Sequence, residues 1–227
     1  MKKIDDSIWI DFEIATEKDG SFDYEAFFKS FDSFFTIKTT IIYPKNRKGQ
    51  KINGFLDKKI QRIILEETKK GNLSIELEND TGSLGIILTS RKDRNRYGFA
   101  ISIDTEALIE KSVVDLYQFF NDLLNLKQAI FAKCSFEKIS NKIYDKYYED
   151  NDRTFFSDGL VWLQYFGLDE FHCQGGEAIF SNPHIQTERL GKGVLIQVGE
   201  SPYDAYTPEG EKLLLKATKA MPPVVKN

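Results

Sequence analysis

Residues 73 to 103 decide the fold, through three short runs: Leu73-Ser74-Ile75-Glu76-Leu77-Glu78, then Leu84-Gly85-Ile86-Ile87-Leu88-Thr89, then Tyr97-Gly98-Phe99-Ala100-Ile101-Ser102-Ile103. In each run, large apolar residues alternate with polar or small ones, the period-two pattern of a strand with one buried face. The connections between the runs are short, so neighbouring strands must run antiparallel as a meander.

Working outward toward the N-terminus, Leu56, Ile60, Ile63 and Ile64 lie at helical spacing, with Gly71 as a C′ residue that stops the helix. A Lys/Asn/Gly-rich loop is expected from Pro44 to Gly54, and a strand from Thr39 to Tyr43. Tyr24, Phe27, Phe28, Phe31, Phe34 and Phe35 recur every three or four residues behind a Ser21 or Asp23 cap, giving a helix whose apolar stripe is almost wholly aromatic. Ile8, Ile10, Phe12 and Ile14 alternate with Asp11 and Glu13 and predict a further half-buried strand.

Toward the C-terminus, Ser112 and Asp115 have capping-box spacing, ahead of a helical face made by Val113, Leu116, Tyr117, Phe120, Leu124 and Lys127. Ile130, Ala132, Cys134 and Phe136 alternate as a strand, and the pattern then loses a single period from Glu137 to Asp152. A short helix from Gly159 to Phe166, a Gly-rich irregular stretch to Gly191 and a strand from Gly193 to Val198 are expected next. The last helix has an N-cap at Thr207, Pro208 at its first position, Glu209 and Glu211 in its first turn and Pro222-Pro223 as its stop, with Leu213, Leu214, Ala217 and Met221 facing inward. The pattern as a whole predicts an α+β fold. An antiparallel meander packs with several α-helices in one domain over residues 1–227, ending in a C-terminal helical extension. The alternative division is a sheet-and-helix core at 1–150 and a C-terminal region at 151–227.

Composition narrows the function classes. Of 227 residues, 41% are hydrophobic and 29% charged, which suits a packed core rather than a disordered chain. The 31 basic and 35 acidic side chains leave a formal charge of −4, too small for a strong pull toward nucleic acid or anionic lipid. Two cysteines are too few for a disulfide framework and fit a reducing compartment. Asp5 and Asp6 interrupt the position where a signal peptide needs an apolar run, and no later stretch is long and apolar enough for a membrane span. A cytoplasmic protein that engages neither membrane nor nucleic acid is the expectation.

Chemistry-bearing motifs are sparse. Phe171-His172-Cys173-Gln174-Gly175-Gly176-Glu177, with His184 further on, offers Cys173 as a nucleophile, but adjacent His172 and Cys173 point apart in most backbones and spacing identifies no orienting third residue. His184, after Pro183, reads as part of a turn. Two Cys and two His form no zinc pattern, the acidic segments form no calcium loop, and Gly82-x-x-Gly85 lacks the Lys-Ser/Thr ending of a phosphate cradle. No catalytic residue, metal ligand or cofactor is therefore assigned. Arg91-Lys92-Asp93-Arg94-Asn95-Arg96 is the densest basic segment, and without interleaved aromatic residues it reads as a solvated hairpin loop.

Two segments suit protein recognition. Tyr144, Tyr147, Tyr148, Glu149, Asp150 and Asp152 crowd tyrosines and carboxylates into a few residues, and Tyr203 with Asp204 repeats the mixture on a loop before the last helix. Tyr supplies contact area at low entropic cost, and carboxylates complement a basic partner. Each segment also has a purely structural reading: a helix with inward rings for the first, and a staple against the helix start for the second.

Gly159-Leu-Val-Trp-Leu-Gln-Tyr-Phe-Gly167, then Gly193-Val-Leu-Ile-Gln-Val198, then a final helix ending in Pro222-Pro223, in that order resemble bacterial immunity proteins of polymorphic toxin systems, most nearly the group catalogued as immunity protein fifty-two. The resemblance spans roughly the last third of the chain. It implies a non-enzymatic cytoplasmic protein that neutralises a cognate toxin by direct protein–protein binding, and it carries no family binding residues with it. The competing class is a small cysteine-dependent hydrolase or transferase using Cys173. A structural or regulatory protein without a dominant partner is the third class.

Overall fold

The computed structural model of the protein describes residues 5–15, 24–43, 48–54, 62–64, 66–67, 73–91, 96–125, 129–142 and 159–222. It is an α+β fold of antiparallel strands and helices with a helix near the C-terminus, and the chain forms two compact units, 1–129 and 130–227.

In the first unit, β1 (Ser7–Ala15), β2 (Thr39–Tyr43), β3 (Gln50–Asn53), β4 (Leu73–Glu78), β5 (Ser83–Arg91) and β6 (Arg96–Asp104) lie in the order β3-β2-β4-β5-β6-β1. The meander of residues 73–103 is present as β4, β5 and β6, and pairing of Arg91 with Arg96 closes the last hairpin. Register puts Ile8, Ile10 and Phe12 opposite Ile103, Ile101 and Phe99, and these in turn opposite Leu84, Ile86 and Leu88. All nine side chains are buried. Helices α1 (Tyr24–Phe34) and α2 (Val113–Asn125) cover this face. The Phe27 ring lies 4.6 Å from that of Phe99, and Phe31 and Phe34 meet Phe119 at 5.2 and 4.3 Å. Burying each such ring stabilises the fold by about 1.5–3 kcal/mol, so the aromatic stripe of α1 is what fixes that helix to the sheet.

The expected capping box starts α2: the Asp115 amide donates to Ser112 Oγ at 3.1 Å, and the Ser112 amide donates to Asp115 Oδ2 at 2.7 Å. The backbone amide of Ser112, followed by its hydroxyl, holds the Asp115 carboxyl below the usual carboxylate range. One expectation fails here. The loop Pro44–Gly54 contains β3, a short exposed strand that pairs Gln50, Lys51, Ile52 and Asn53 with β2. Four polar or half-buried residues on an edge carry almost no periodic signal. Ile63 and Ile64 are helical as expected, whereas Ser21, Asp23, Leu56, Ile60 and Gly71 lie outside the described residues.

In the second unit, β7 (Ala129–Phe136), β8 (Leu163–Phe166), β9 (Gln186–Leu190) and β10 (Gly193–Gln197) are ordered β7-β8-β10-β9. Helix α3 (Leu168–Cys173) and 3-10 turns at Gly176–Ser181 and Pro202–Tyr206 precede α4 (Pro208–Lys219). The helix expected from Gly159 to Phe166 is corrected: Leu163–Phe166 is strand β8, paired with β7 and β10. Every residue from Leu160 to Phe166 is buried, Gln164 included, and a run buried on both faces has no period that separates strand from helix. The stretch to Gly191 is likewise not irregular, since it holds α3, a 3-10 turn and β9. Residues 137–142, where periodicity was lost, are helical.

The last helix follows its sequence signals. Thr207 Oγ1 accepts from the Gly210 amide at 3.0 Å, Pro208 is first, and the helix ends at Lys219. Leu214, Ala217, Thr218 and Met221 are buried, while Leu213 is half-buried. Two hydrogen bonds tie α4 down: Thr218 Oγ1 accepts from the Leu160 amide at 2.8 Å, and Asn182 Nδ2 donates to the Ala217 carbonyl at 2.8 Å. Gly210 is required here, because a Cβ at that position would stand 2.0 Å from the Asp204 carbonyl oxygen.

Candidate partner-binding surface

Of the residues singled out for recognition, Tyr203 and Asp204 fall within the described part, in the 3-10 turn between β10 and α4. Tyr144, Tyr147, Tyr148, Glu149, Asp150 and Asp152 lie outside the described residues. The Tyr203 ring meets Phe136 of β7 edge-on at 5.1 Å, and Tyr206 meets the same ring at 5.1 Å. Tyr203 is therefore half-buried, and Tyr206 is 39% exposed. Asp204 Oδ2 accepts from the amides of Glu200 and Ser201 at 2.8 and 3.0 Å, while Ser201 Oγ accepts from the Tyr203 amide at 3.2 Å. This is a capping box around a 3-10 turn, and it uses Asp204 to hold the loop's shape. A rigid turn that leaves Tyr206 at its rim suits a contact point, because little side-chain entropy remains to be lost on binding.

The nucleophile candidates are placed as follows. Cys173 is half-buried as the last residue of α3, and neither it nor Cys134 is in a disulfide. His172 is exposed, its ring 5.6 Å from Phe171. His184 sits in a turn made by Asn182, whose Oδ1 accepts from the His184 amide at 3.0 Å. Among the described residues, no group of three or more His, Cys, Asp or Glu is placed to hold a metal ion. Nor is any helix among them long and apolar enough to cross a membrane.

Two features escaped the sequence reading. In the second unit, the Arg189 guanidinium on β9 lies 4.9 Å from the Phe180 ring centroid and 5.6 Å from that of Phe171, and it is ion-paired with Glu177. Nothing in the spacing of residues 171, 177, 180 and 189 announces the cluster, since a hairpin and a 3-10 turn bring it together. In the first unit, Ser33 and Phe34 of α1 and Asp115, Gln118, Phe119 and Asp122 of α2, with Lys111, line an open cleft. Lys111 Nζ lies 5.4 Å above the Phe34 ring, and Asp122 accepts from Gln118 at 2.8 Å. The other polar groups of the cleft bond beside it: Ser33 Oγ donates to the Ser30 carbonyl at 3.0 Å, and Asp115 is held by Ser112.

No family model matches the chain, and no curated protein matches it. Among solved structures, the fold is similar to the Pseudomonas aeruginosa T6SS protein PA0821, with a TM-score of 0.58 and 13% sequence identity over 97% of this chain and 75% of that one. At that identity the likeness is one of fold.

Proposed function

We propose that this chain is an immunity-type protein that neutralises a bacterial toxin by binding it directly, without catalysis of its own and within the cytoplasm. The observation that carries this reading is the fold shared over nearly the whole chain with a T6SS protein, taken with the C-terminal motifs that resemble polymorphic-toxin immunity proteins. The mildly acidic composition and the rigid aromatic turn at Tyr203–Tyr206 are compatible with a partner whose surface is basic.

The test is expression in a bacterial host of the protein encoded next to this chain's gene, with and without this chain. Growth arrest relieved by co-expression, together with a one-to-one complex on size exclusion, is the expected result, and Cys173→Ala should protect equally well. Absence of any protection, or protection abolished by Cys173→Ala in a folded variant, would overturn the reading in favour of other partners or of thiol chemistry.

A further inference from the structure

Asn53-Gly54 is the one Asn-Gly pair in the sequence, and it falls where β3, an edge strand of the first unit, comes to its end. Asn53 is exposed, and Gly54 turns the chain at φ +81°, a conformation that glycine adopts without strain. Two hydrogen bonds clamp that glycine to the start of β2. Its amide donates to the carbonyl of Lys38, just ahead of the strand, at 2.6 Å, and its carbonyl accepts from the Thr40 hydroxyl at 3.0 Å. Otherwise β3 is held by its register with β2, Gln50 to Asn53 against Ile42 to Thr39, and no strand among the described residues pairs with its outer side.

An asparagine followed by glycine is set up for an intramolecular acyl substitution, because no side chain on the glycine shields its backbone nitrogen. That nitrogen, on losing its proton to solvent base, attacks Cγ of Asn53. The Cγ–Nδ2 bond breaks, ammonia leaves with a proton from solvent, and a five-membered succinimide remains. Water then opens the ring: cleavage at Cγ gives aspartate, and cleavage at the main-chain carbonyl gives isoaspartate, whose backbone runs through the side chain. Nothing is oxidised or reduced. With the clamp closed, the Gly54 N–H is committed to Lys38, so the reaction waits for the clamp to open. Opening is cheap at this place, since a four-residue exposed edge strand belongs to the low end of local stability.

We infer that Asn53 is a site of spontaneous covalent modification, converting to aspartate or isoaspartate at a rate set by fraying of the β3 end that the Lys38 and Thr40 bonds hold closed. The reaction calls for water and no partner, so it stands apart from the binding reading above. Its two products differ in consequence. Aspartate places a carboxylate in a row with Thr39 and Glu78, beside Lys51 on the same face, whose ammonium meets Glu78 at 3.2 Å and offsets the added charge. Isoaspartate lengthens the backbone by one carbon, which takes Gly54 out of register with Lys38 and Thr40 and frees the strand end.

The test follows Asn53 by peptide-mapping mass spectrometry while the folded full chain is held in warm, mildly alkaline buffer, beside the same chain unfolded in urea. Each clamping bond, at its usual net strength, is worth a factor of roughly 2–10 in the open population. Product should therefore accumulate at Asn53 in the folded chain, roughly 5–100-fold more slowly than in urea. Thr40→Val keeps the branched shape and removes the hydroxyl, and it should speed the reaction by the factor for one bond, while Thr40→Ser should restore the parent rate. Gly210→Ala strains the second unit and should leave the rate unchanged, because the route is local fraying and not global unfolding. Asn53→Gln, whose closure needs a six-membered imide, should remove the product. No product at Asn53 in the folded chain, a folded rate equal to that in urea, a Thr40→Val chain no faster than the parent, or equal acceleration by Gly210→Ala would each overturn the assignment.

Discussion

Gln164 on β8 is fully buried, and among the described residues neither its Oε1 nor its Nε2 has a hydrogen-bond partner; the indole N–H of Trp162, just before β8, has none among them either. Its cross-strand neighbours are Lys133 on β7 and Ile196 on β10. A buried polar group left unmade costs about 1–3 kcal/mol. Methionine matches glutamine in length and adapts to irregular space, with a repacking cost below about 1.5 kcal/mol. Gln164→Met should therefore stabilise the chain by about 1–2 kcal/mol, raising Tm by roughly 2–8 °C at the slope usual for a chain of this size. In urea, the midpoint should rise at an unchanged m-value. Gln164→Glu must act in the opposite direction, because burial without a partner disfavours the carboxylate, and its cost should grow as pH rises above about 4. A fall in the urea midpoint for Gln164→Met would refute the argument, since it would mean the amide is hydrogen-bonded in solution, for instance through a buried water.

Other consequences are as direct. Gly210→Ala sets a methyl group against the Asp204 carbonyl oxygen and should destabilise by about 2–4 kcal/mol in thermal melts, far beyond an ordinary helix substitution. Asp204→Ala removes the acceptor for two loop amides and should cost about 0.5–2 kcal/mol, with loss of order at Tyr206 visible as sharpened amide resonances. The Asp115 carboxyl has a folded pKa below its unfolded value, so its capping contribution is fully present above about pH 4 and is lost as pH falls through the lowered folded value; Asp115→Asn should flatten that part of the urea midpoint against pH.

The sequence by itself determined the elements whose periodicity is unmistakable. The meander of residues 73–103, the strand around Phe12, the aromatic helix α1, the Ser112–Asp115 cap and the start and stop of α4 were legible because each has one buried face or a side-chain cap acting within a few residues. Sequence failed where both faces are buried, as in β8, or where neither is, as in β3, since no period then distinguishes the alternatives. The placement of β1 beside β6, so that Asp11 and Glu13 flank Ala100 and Gly98, depends on pairing between residues far apart in the chain. Only the tertiary structure could bring those carboxylates opposite Glu76 and Glu78, or stack Arg189 on Phe180. A side chain's own neighbourhood in sequence fixes its local conformation, whereas which strand lies next to which is decided by how the apolar faces are buried together.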